Sequence, residues 1–359
     1  MPLIVSSSYE PPARLWNGHL QTIVPSLFRR VTVPYVRERI ETPDDDFLDL
    51  DWAFSIIREQ SAANSEAQPE GTVGRPLFTD NCLVILSHGL EGDSSRPYLA
   101  GMVRHLTHHG FDCLAWNYRS CSGEMNRQPR FYHIGETGDL HHVIEHALTK
   151  GYRTIHLLGF SAGGNITLKY LGEHGPSHGG SQVHPAIGRA VTFSVPLDVT
   201  SSAARLEAWD SMVYNRRFQR TLKEKVRQKA ALLPAEILSS GWQRVRTIRQ
   251  FDDLITGPLH GFPGVEAYYA QNSSLPFVPK ITVPTLVVNA RNDPFLSPEC
   301  FPEDMARELS NVWMEFPKAG GHCGFPPKRG GLSGTYWSEE RAVQFLKEPA
   351  LAAKTAAIK

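Results

Sequence analysis

Two hydrophobic periods alternate along most of the chain. Short apolar runs bounded by turn residues, namely "CLVILSHG", "FDCLAWNYR", "TIHLLGF" and "AVTFSVP", are separated by stretches of helical periodicity. These stretches predict helices over 98–108, 139–149 and 162–171. Continuously apolar strands suit a sheet that is covered on both faces, so the pattern predicts an α/β fold with a mostly parallel, doubly wound sheet.

The N-terminal part departs from this pattern. Over 31–54, "VTVPYVRERIET" and "FLDLDWAF" both alternate and "PDDD" supplies turn residues, which predicts an antiparallel hairpin. Residues 56–80 are rich in Ser, Ala, Glu, Gly and Pro and predict a flexible surface loop. We expect residues 1–30 to form an N-terminal segment that packs on the core.

A second departure lies between the fourth and fifth parallel runs. Residues 198–279 contain the basic helical stretch "RRFQRTLKEKVRQKAALL" and no strand pattern. The strands then resume with "PTLVVNARND" and "VWMEFPKAGGH", with a predicted helix near 302–309 between them. We therefore predict one core, formed by 31–197 and 280–347, a helical cap inserted at 198–279, and a C-terminal tail at 348–359.

Composition narrows the classes of partner and compartment. Lys+Arg and Asp+Glu both total 37, so net charge predicts no nucleic-acid partner. The five cysteines have no CxxC spacing, which argues against a disulfide framework or a cysteine-rich zinc site and favours a cytoplasmic protein. The N-terminal "PLIV" is too short for a signal-peptide core, and no stretch approaches the roughly 18 apolar residues of a membrane span. Transient contact with a membrane surface and the oligomeric state stay open.

The residues 159–163 read G-x-S-x-G between a predicted strand and a predicted helix. That context is the one a nucleophile elbow requires, because the tight turn needs small flanking residues and lifts the serine hydroxyl clear of the sheet. A glycine turn with an incidental serine is the alternative. The strand before Ser161 and the helix after it favour a catalytic nucleophile.

A serine nucleophile needs a general base and a carboxylate that orients the base. Asp293 follows a late strand in "VVNARNDPF", and His322 lies in a glycine-rich loop after the last strand. Both stand in the order Ser, acid, His of this kind of elbow. Asp198 is the rival acid, and His260 in the cap is a weaker candidate base.

Acyl transfer also needs donors for the developing oxyanion. We expect one from the backbone N–H of Ala162, which follows the nucleophile, and one from Leu90, in the loop after "CLVILSHG". Gly89 allows the backbone to bend there, and His88 is expected to shape the loop rather than to transfer protons.

Three further patterns compete with this interpretation. "HVIEH" places His142 and His146 one helical turn apart with Glu145, the spacing of a zinc peptidase, although a solvated face of a sheet-covering helix explains it equally. "HGLEGD", from His88 to Asp93, matches an acyltransferase pattern. The basic segment 216–229 lacks the interleaved aromatic residues of a single-strand binder and predicts a water-facing helix.

Aromatic residues of the cap are candidates for the walls of an acyl pocket, or else for the core of the cap itself. They are Trp209, Phe251, Phe262, Tyr268 and Tyr269.

Beyond the elbow, several ordered stretches resemble the YheT-like branch of the α/β-hydrolase superfamily, also called the AB hydrolase 4 family. They are "PPARLWNGHLQTIVPSLFRR", "SHGLEGDSSRPY", "NYRSCSGEMNRQPRFYHIGETGDL", "FDDLITGPLHGFPGVEAYY", "PTLVVNARNDPF" and "GGHCGF". The resemblance runs from Pro11 to Phe325. It implies a carboxylic ester hydrolase with Ser161, Asp293 and His322 as its triad.

Related eukaryotic proteins act on acylglycerols, phospholipids or medium-chain acyl esters, and several carry an N-terminal membrane anchor. We expect no such anchor in this protein. The sequence also departs from the family at Ser120, where a glycine is expected.

These observations predict a serine esterase or lipase-like hydrolase that acts through an acyl-enzyme on short- to medium-chain acyl esters or monoacylglycerols. Its predicted partner is a small-molecule ester, and no metal or organic cofactor is required. The alternatives are an acyltransferase or thioesterase on the same triad, a metallopeptidase through "HVIEH", and a non-catalytic binding protein on this scaffold.

Overall fold

The computed structural model describes residues 2–56, 82–175, 182–329 and 331–348. Within these ranges one sheet contains nine strands in the order β1-β9-β8-β7-β6-β4-β5-β3-β2. The strands are β1 (Leu3–Ile4), β2 (Val36–Thr42), β3 (Asp46–Ala53), β4 (Cys82–Ser87), β5 (Asp112–Asn117), β6 (Thr154–Phe160), β7 (Ile187–Phe193), β8 (Thr285–Val288) and β9 (Val312–Glu315). Apart from Ile56, the predicted surface loop lies outside the described residues, as does the tail beyond residue 348.

Most neighbouring strands are parallel. The antiparallel pairs are β2 with β3 and β3 with β5, and the other pairs run parallel. This confirms the predicted mostly parallel sheet with an antiparallel hairpin. The register sets Ser87 beside Gly159 and Val288 beside Glu315, so the loops that follow these strands all leave the sheet at its carboxyl edge.

Helices cover both faces of the sheet and fill the insertion. The α-helices are α1 (Gly18–Phe28), α2 (Pro97–His108), α3 (Thr137–Thr149), α4 (Ala162–Glu173), α5 (Val199–Glu207), α6 (Met212–Gln228), α7 (Ala235–Ser239), α8 (Ile248–Phe251), α9 (Gly257–Leu259), α10 (Val265–Asn272), α11 (Glu303–Glu308) and α12 (Trp337–Lys347). A π-helical turn, Asp252–Thr256, joins α8 to α9.

Two hydrophobic clusters sandwich the sheet, which explains the continuous apolar strands. In β4, Ile85 packs in one cluster with residues of α3 and α4, whereas the next residue, Leu86, packs in the other with residues of α2 and α12. Successive strand side chains point to opposite faces. A strand covered on both faces therefore favours apolar side chains at successive positions.

The hairpin differs from the predicted one in extent and burial. β2 begins at Val36 rather than at residue 31, which fits Pro34, a residue that cannot donate to a ladder of hydrogen bonds. All eight residues of β3 are buried, although the alternation implied one solvated face. Asp49 and Asp51 are buried because guanidinium groups of the neighbouring strand cover them, with N–O distances of 2.7 Å from Arg39 and 2.8 Å from Arg37.

The insertion at 198–279 carries the helices α5 to α10 and has apolar packing of its own. One cluster gathers Val226, Trp242, Phe251 and Ile255 around Phe131 of the core. A second unites Ala203 of α5 with residues of α10. Among the described helices, none combines the length and hydropathy that a bilayer crossing requires.

Candidate active site

Ser161 occupies the turn between β6 and α4. Its backbone has φ 53° and ψ −120°, a conformation that residues other than glycine rarely adopt. Its N–H donates to the carbonyl of Phe193 at 2.9 Å, which fixes the turn against the neighbouring strand. Strain of this kind persists only where the surroundings impose it, and it concentrates at functional sites.

The two glycines of the G-x-S-x-G pattern are required by close backbone contacts. A Cβ on Gly159 would lie 2.4 Å from the carbonyl oxygen of Gly163, and a Cβ on Gly163 would lie 2.3 Å from that of Ser87. Neither neighbour is a flexible side chain, so neither can give way. The spacing in the sequence therefore reflects a packed turn rather than chance.

Replacement of Gly163 by alanine is expected to lower the free energy of unfolding by about 3 kcal/mol, because the added methyl group collides with fixed backbone atoms. Denaturant unfolding measures the loss. Gly264→Ala is the matched control, since its Cβ would meet no atom closer than 3.9 Å and its φ of 168° is ordinary extended backbone. Equal stabilities of the two variants would contradict the packing argument.

The structure brings Ser161, His322 and Asp293 together. The Ser161 hydroxyl lies 2.9 Å from Nε2 of His322, and Nδ1 of the same ring lies 2.9 Å from Oδ2 and 3.1 Å from Oδ1 of Asp293. A carboxylate only accepts, so Nδ1 carries the proton and Nε2 accepts from the serine hydroxyl. This is the tautomer that a general base for Ser161 needs.

The carboxylate of Asp293 is held firmly beneath the imidazole. Its side chain is fully buried, and Oδ1 accepts from the backbone N–H of Phe295 at 2.8 Å. The Phe295 ring stacks on His322 with centroids 3.9 Å apart. Phe295 thus orients both partners of Ser161, a role that no sequence pattern indicated.

Opposing effects act on the imidazole of His322. Burial, the largest of them, lowers its pKa, while the charge and hydrogen bond of Asp293, together with Cys323, raise it. The net direction is upward from the ordinary value of 6.5. The buried carboxylate therefore stabilises the imidazolium that forms when the ring accepts a proton.

The N-terminal segment positions the histidine loop. The Thr22 hydroxyl of α1 accepts from the N–H of His322 at 2.8 Å, and Gln21 Oε1 accepts from the N–H of Gly320 at 2.7 Å. Gly321 has φ 63°, and a Cβ there would lie 2.7 Å from the Gly18 carbonyl oxygen. Sequence reasoning missed this role of α1, since residues about 300 apart along the chain make these contacts.

Both predicted oxyanion donors lie at the site. Leu90 and Ala162 line the cavity that contains Ser161 and His322. Within the described part of the chain, neither backbone N–H donates to a protein group. The Ala162 N–H lies in the first turn of α4, where amides have no intrahelical partner. Both amides are thus free to donate to an oxyanion.

The loop that carries Leu90 is locked on both sides. The Gly89 N–H donates to the hydroxyl of Tyr98 at 2.9 Å, and the Glu91 N–H donates to the hydroxyl of Tyr132 at 2.8 Å. His88 is fully buried below the loop, where its Nε2 accepts from the N–H of Tyr118 at 3.2 Å. Burial lowers the pKa of His88 to about 4. The ring therefore acts as a neutral support, and it lines neither cavity described below.

The rival triad residues are occupied elsewhere. Asp198 caps α5, with Oδ1 accepting from the Ser201 N–H at 2.7 Å. His260 faces the same cavity as Ser161, but its two ring nitrogens lie 2.8 Å and 3.1 Å from the carbonyl oxygens of Thr256 and Phe131. Neither contacts the Ser161 hydroxyl.

The helix that contains "HVIEH" packs on the sheet, and its two histidines contact different residues of the hairpin. Val143 and Ile144 are buried, while Nε2 of His142 lies 2.8 Å from the Glu41 carbonyl and Nε2 of His146 lies 3.1 Å from a Glu38 carboxylate. Each histidine has a separate partner on β2. The helix therefore packs through its apolar stripe, as the solvated-face alternative expects.

The described residues contain one group whose geometry resembles a metal site: His133, Glu136 and His260, with ligand atoms within 4.8 Å of one another. Arg130 donates to Glu136 at 2.9 Å, and the N–H of Gly135 donates to Nδ1 of His133 at 3.1 Å. Both nitrogens of His260 face carbonyl oxygens. Arg130 and the Gly135 N–H thus occupy Glu136 and one nitrogen of His133, whereas a neutral His260 ring can donate to only one of its two carbonyl oxygens.

Two cavities meet at Ser161 and His322. The first comprises about 1010 Å³, including space open to solvent, and lies between the core and residues of the 198–279 segment. The second comprises about 1230 Å³, also including space open to solvent, and lies beside α1 and α6. Both are lined by Leu90, Glu91, Ser161, Phe218, Phe295 and His322. An ester at Ser161 can therefore place its acyl and alcohol parts on opposite sides.

The first cavity is walled mainly by apolar side chains, including those of Phe131, Val199, Leu222, Ile248 and Phe251. Of the cap aromatics named above, Phe251, Tyr268 and Tyr269 line it. Phe262 packs beside Tyr268 without lining it, and Trp209 is 88% exposed. Trp209, a candidate for the pocket wall or for the core of the cap, belongs to neither, because the sequence does not tell which face of this segment a residue occupies.

Ser120 occupies a left-handed position with φ 62°, which explains why a glycine is expected there. Its hydroxyl donates to Oδ1 of Asn126 and accepts from the N–H of Asn126 at 3.3 Å. The side chain thus ties the loop across the turn, and it contacts no triad residue.

Comparison with known proteins agrees with this geometry. A model of the alpha/beta hydrolase fold matches residues 83–328, which include the elbow, Asp293 and His322. The chain belongs to the α/β-hydrolase fold family. It is 32% identical to YheT of Escherichia coli (strain K12) over 95% of this chain and 93% of that protein. This likeness confirms the YheT-like branch of the family.

Other family members and a solved structure extend the comparison. Phospholipase ABHD3 of Homo sapiens is 27% identical over 90% of this chain and 74% of its own length, and the monoacylglycerol lipase of Saccharomyces cerevisiae is 27% identical over 93% and 79%. The structure of the Pyrococcus furiosus esterase Pf2001 matches with a TM-score of 0.52 at 17% identity, covering 88% of this chain and 92% of that one. At that identity the structural likeness concerns the fold.

Proposed function

We propose that this chain is a serine carboxylic ester hydrolase that works through an acyl-enzyme. The observation that carries the proposal is the continuous hydrogen-bond chain from Asp293 through His322 to Ser161. Ser161 and His322, at the end of this chain, line an apolar cavity. Related family members include a phospholipase and a monoacylglycerol lipase, and their names support the same reaction class.

The first half of the proposed reaction forms the acyl-enzyme. Nε2 of His322 takes the proton of Ser161 as Oγ attacks the acyl carbonyl, and Asp293 stabilises the resulting imidazolium. The N–H groups of Leu90 and Ala162 receive the negative charge that develops on the carbonyl oxygen. The imidazolium then donates this proton to the oxygen of the leaving alcohol.

The second half releases the acid. A water molecule gives its proton to the now neutral His322 and attacks the acyl carbonyl, and the same two amides stabilise the second tetrahedral intermediate. Ser161 leaves with the proton from His322. The enzyme returns to its starting state, and the whole sequence uses only side chains and backbone amides.

The acyl chain is assigned to the first cavity. Its walls are mainly aliphatic and aromatic, which is typical of sites that bind apolar small molecules. Short- to medium-chain acyl esters, including monoacylglycerols, are the substrates this supports. Residues 198–279 supply much of the wall and act in the proposal as the cap over the acyl group.

Hydrolysis of p-nitrophenyl esters from two to twelve carbons tests the function. The wild-type protein is expected to hydrolyse them with a maximum beyond acetate, and Ser161→Ala is expected to be inactive at every length. Activity that survives Ser161→Ala but is lost on chelation would overturn the proposal in favour of a metal-dependent reaction.

Replacement of Ala203 by phenylalanine is expected to narrow the acyl cavity. Ala203 is buried on α5 and lines this cavity, so kcat/KM for the octanoyl ester should fall at least about tenfold relative to the acetyl ester as the chain loses contact area. Ala204→Phe, at the exposed next position of the same helix, is the control and should keep the wild-type profile. An unchanged profile in Ala203→Phe would place the acyl chain elsewhere.

A further inference from the structure

Positive charge is in excess on the second cavity. Its wall carries the guanidinium groups of Arg96 and Arg217 and a single carboxylate, that of Glu91. Glu91 is already neutralised, because its Oε1 lies 2.8 Å from Nζ of Lys225 and accepts from the hydroxyl of Tyr132 at 2.9 Å. The two arginines therefore face the cavity without a carboxylate of its wall to balance them.

Arg96 is fixed next to the loop that carries Leu90. Its Nη2 donates to the carbonyl oxygen of Glu91 at 2.9 Å, and its Nε lies 3.3 Å from the carboxylate of Asp93, outside the cavity wall. A guanidinium has five N–H donors, so these contacts leave donors for a further acceptor. The group is thus oriented before any substrate arrives.

Arg217 approaches the same cavity from α6 of the cap. Its backbone carbonyl accepts from the Thr221 hydroxyl at 3.5 Å, but within the described part of the chain its guanidinium group has no hydrogen-bond or ion-pair partner. Its cationic neighbours include Arg96 and Arg220. Arg217 is exposed, yet partial desolvation first, and then the like charges of Arg96 and Arg220, lower its pKa. Asp93 balances Arg96, but the guanidinium of Arg217 has no such partner, so a bound anion would relieve its repulsion from the neighbouring cations.

We propose that Arg96 and Arg217 form an anion subsite that binds a phosphate on the leaving alcohol of the ester. This inference rests on the proposed function and specifies its substrate class: the acyl chain fills the first cavity and the phosphorylated alcohol fills the second. Planar guanidinium groups bind phosphate oxygens in bidentate fashion. The hydroxyl groups of Ser26 and Thr221 on the same wall suit the remaining polar part of such an alcohol.

The phosphate takes no part in bond making. Ser161 still attacks the acyl carbonyl, water completes the hydrolysis, and the products are the free acid and the alcohol with its phosphate intact. The arginines act by binding the substrate, so their contribution should appear as a preference between two esters that share one acyl chain.

The test compares 1-octanoylglycerol with 1-octanoylglycerol 3-phosphate, both below their aggregation concentrations. The wild-type protein should favour the phosphorylated ester in kcat/KM, and the ratio of the two values should fall about ten- to a hundredfold in Arg217→Ala. Arg216→Ala is the matched control, because Arg216 is exposed on the same helix and lines neither cavity. Its ratio should stay within twofold of wild type.

Two results separate this inference from the proposed function. Hydrolysis of the neutral ester without preference for the phosphorylated one, or an equal ratio in Arg217→Ala and wild type, would overturn the subsite and leave the esterase intact. Loss of hydrolysis of both esters would overturn the esterase. In that case calorimetric binding of glycerol 3-phosphate to the wild-type protein, weakened at least about tenfold by Arg217→Ala, supports the subsite, and equal binding overturns it.

Inorganic phosphate distinguishes a headgroup from a free ion. If it competes with the neutral ester as strongly as glycerol 3-phosphate does, in a manner that depends on Arg217, the cavity takes free phosphate and the assignment to a leaving group is wrong. Competition by glycerol 3-phosphate alone supports the assignment.

Discussion

Replacement of His322 by alanine is expected to lower kcat for an ester substrate by about 10⁴- to 10⁶-fold. The Ser161 hydroxyl has its 2.9 Å contact with Nε2 of His322, and without this base it is a weak nucleophile at neutral pH. Steady-state hydrolysis of a p-nitrophenyl ester, with folding checked by circular dichroism, measures the loss.

His146→Ala is the control for this experiment. His146 belongs to the "HVIEH" helix, where it contacts Glu38 of the hairpin. If catalysis depends on the triad, this variant keeps activity within twofold of wild type. The reverse pattern, with His146 essential and His322 dispensable, would contradict the triad and favour the zinc-peptidase alternative.

Replacement of Asp293 by asparagine is expected to lower kcat by about ten-thousandfold. The asparagine amide favours the wrong tautomer of His322, and the negative charge that stabilises the imidazolium is lost. Asp293 is buried and lies 2.9 Å from Nδ1 of His322, so water is a poor replacement for its carboxylate as the partner of the ring.

The same replacement should change the pH dependence in a definite direction. Activity requires neutral His322 and is lost as pH falls through its pKa. In the wild type that pKa is raised above 6.5, so the acid limb of kcat/KM should lie above pH 6.5. In Asp293→Asn the lowering effect of burial remains, the charge of the carboxylate is lost and Cys323 still raises the pKa of His322, so the limb should move to lower pH.

Asp198→Asn is the control for Asp293→Asn. Asp198 caps α5 through its side-chain oxygen, and asparagine caps a helix equally well. This variant should therefore keep both stability and activity near wild type. A loss of activity as large as that of Asp293→Asn would assign the triad acid to Asp198.

The central part of the fold was predictable because its physical causes are local. Strands covered on both faces are mostly apolar, and the runs Leu83–Leu86 of β4 and Leu157–Leu158 of β6 show this pattern. The elbow was predictable from its spacing, although only Gly159 is fixed by contacts within the turn itself, whereas Gly163 is fixed by the backbone of Ser87 and His88 after β4. The order of Asp293 and His322 then follows from the order of the strands.

Features that depend on distant contacts were not predictable. α1 holds the loop of His322 through Gln21 and Thr22, a packing of the two ends of the chain that leaves no periodic signal. β1 has only two residues, too few for any pattern. The aspartates of β3 resemble solvated positions until the arginines of β2 are placed beside them.

The cap shows the same limit. Its helical character was evident from the sequence, but the face that each residue presents was not. Trp209 is exposed, whereas Phe251 lines the first cavity. Likewise the basic run 216–229 predicted a water-facing helix, yet Lys225 reaches Glu91 of the loop that carries Leu90, and Lys229 is buried against Asn126. Which residues of a charged helix face inward depends on the core beneath it.

Covalent labelling of the intact protein by a fluorophosphonate tests the central claim, that Ser161 is an activated nucleophile. Mass spectrometry of the labelled wild-type protein should show one adduct per chain, and peptide mapping should assign it to Ser161. Ser161→Ala should remain unlabelled, and His322→Ala should label far more slowly. Labelling of a well-folded Ser161→Ala protein at the wild-type rate, or no adduct on well-folded wild-type protein, would contradict the account.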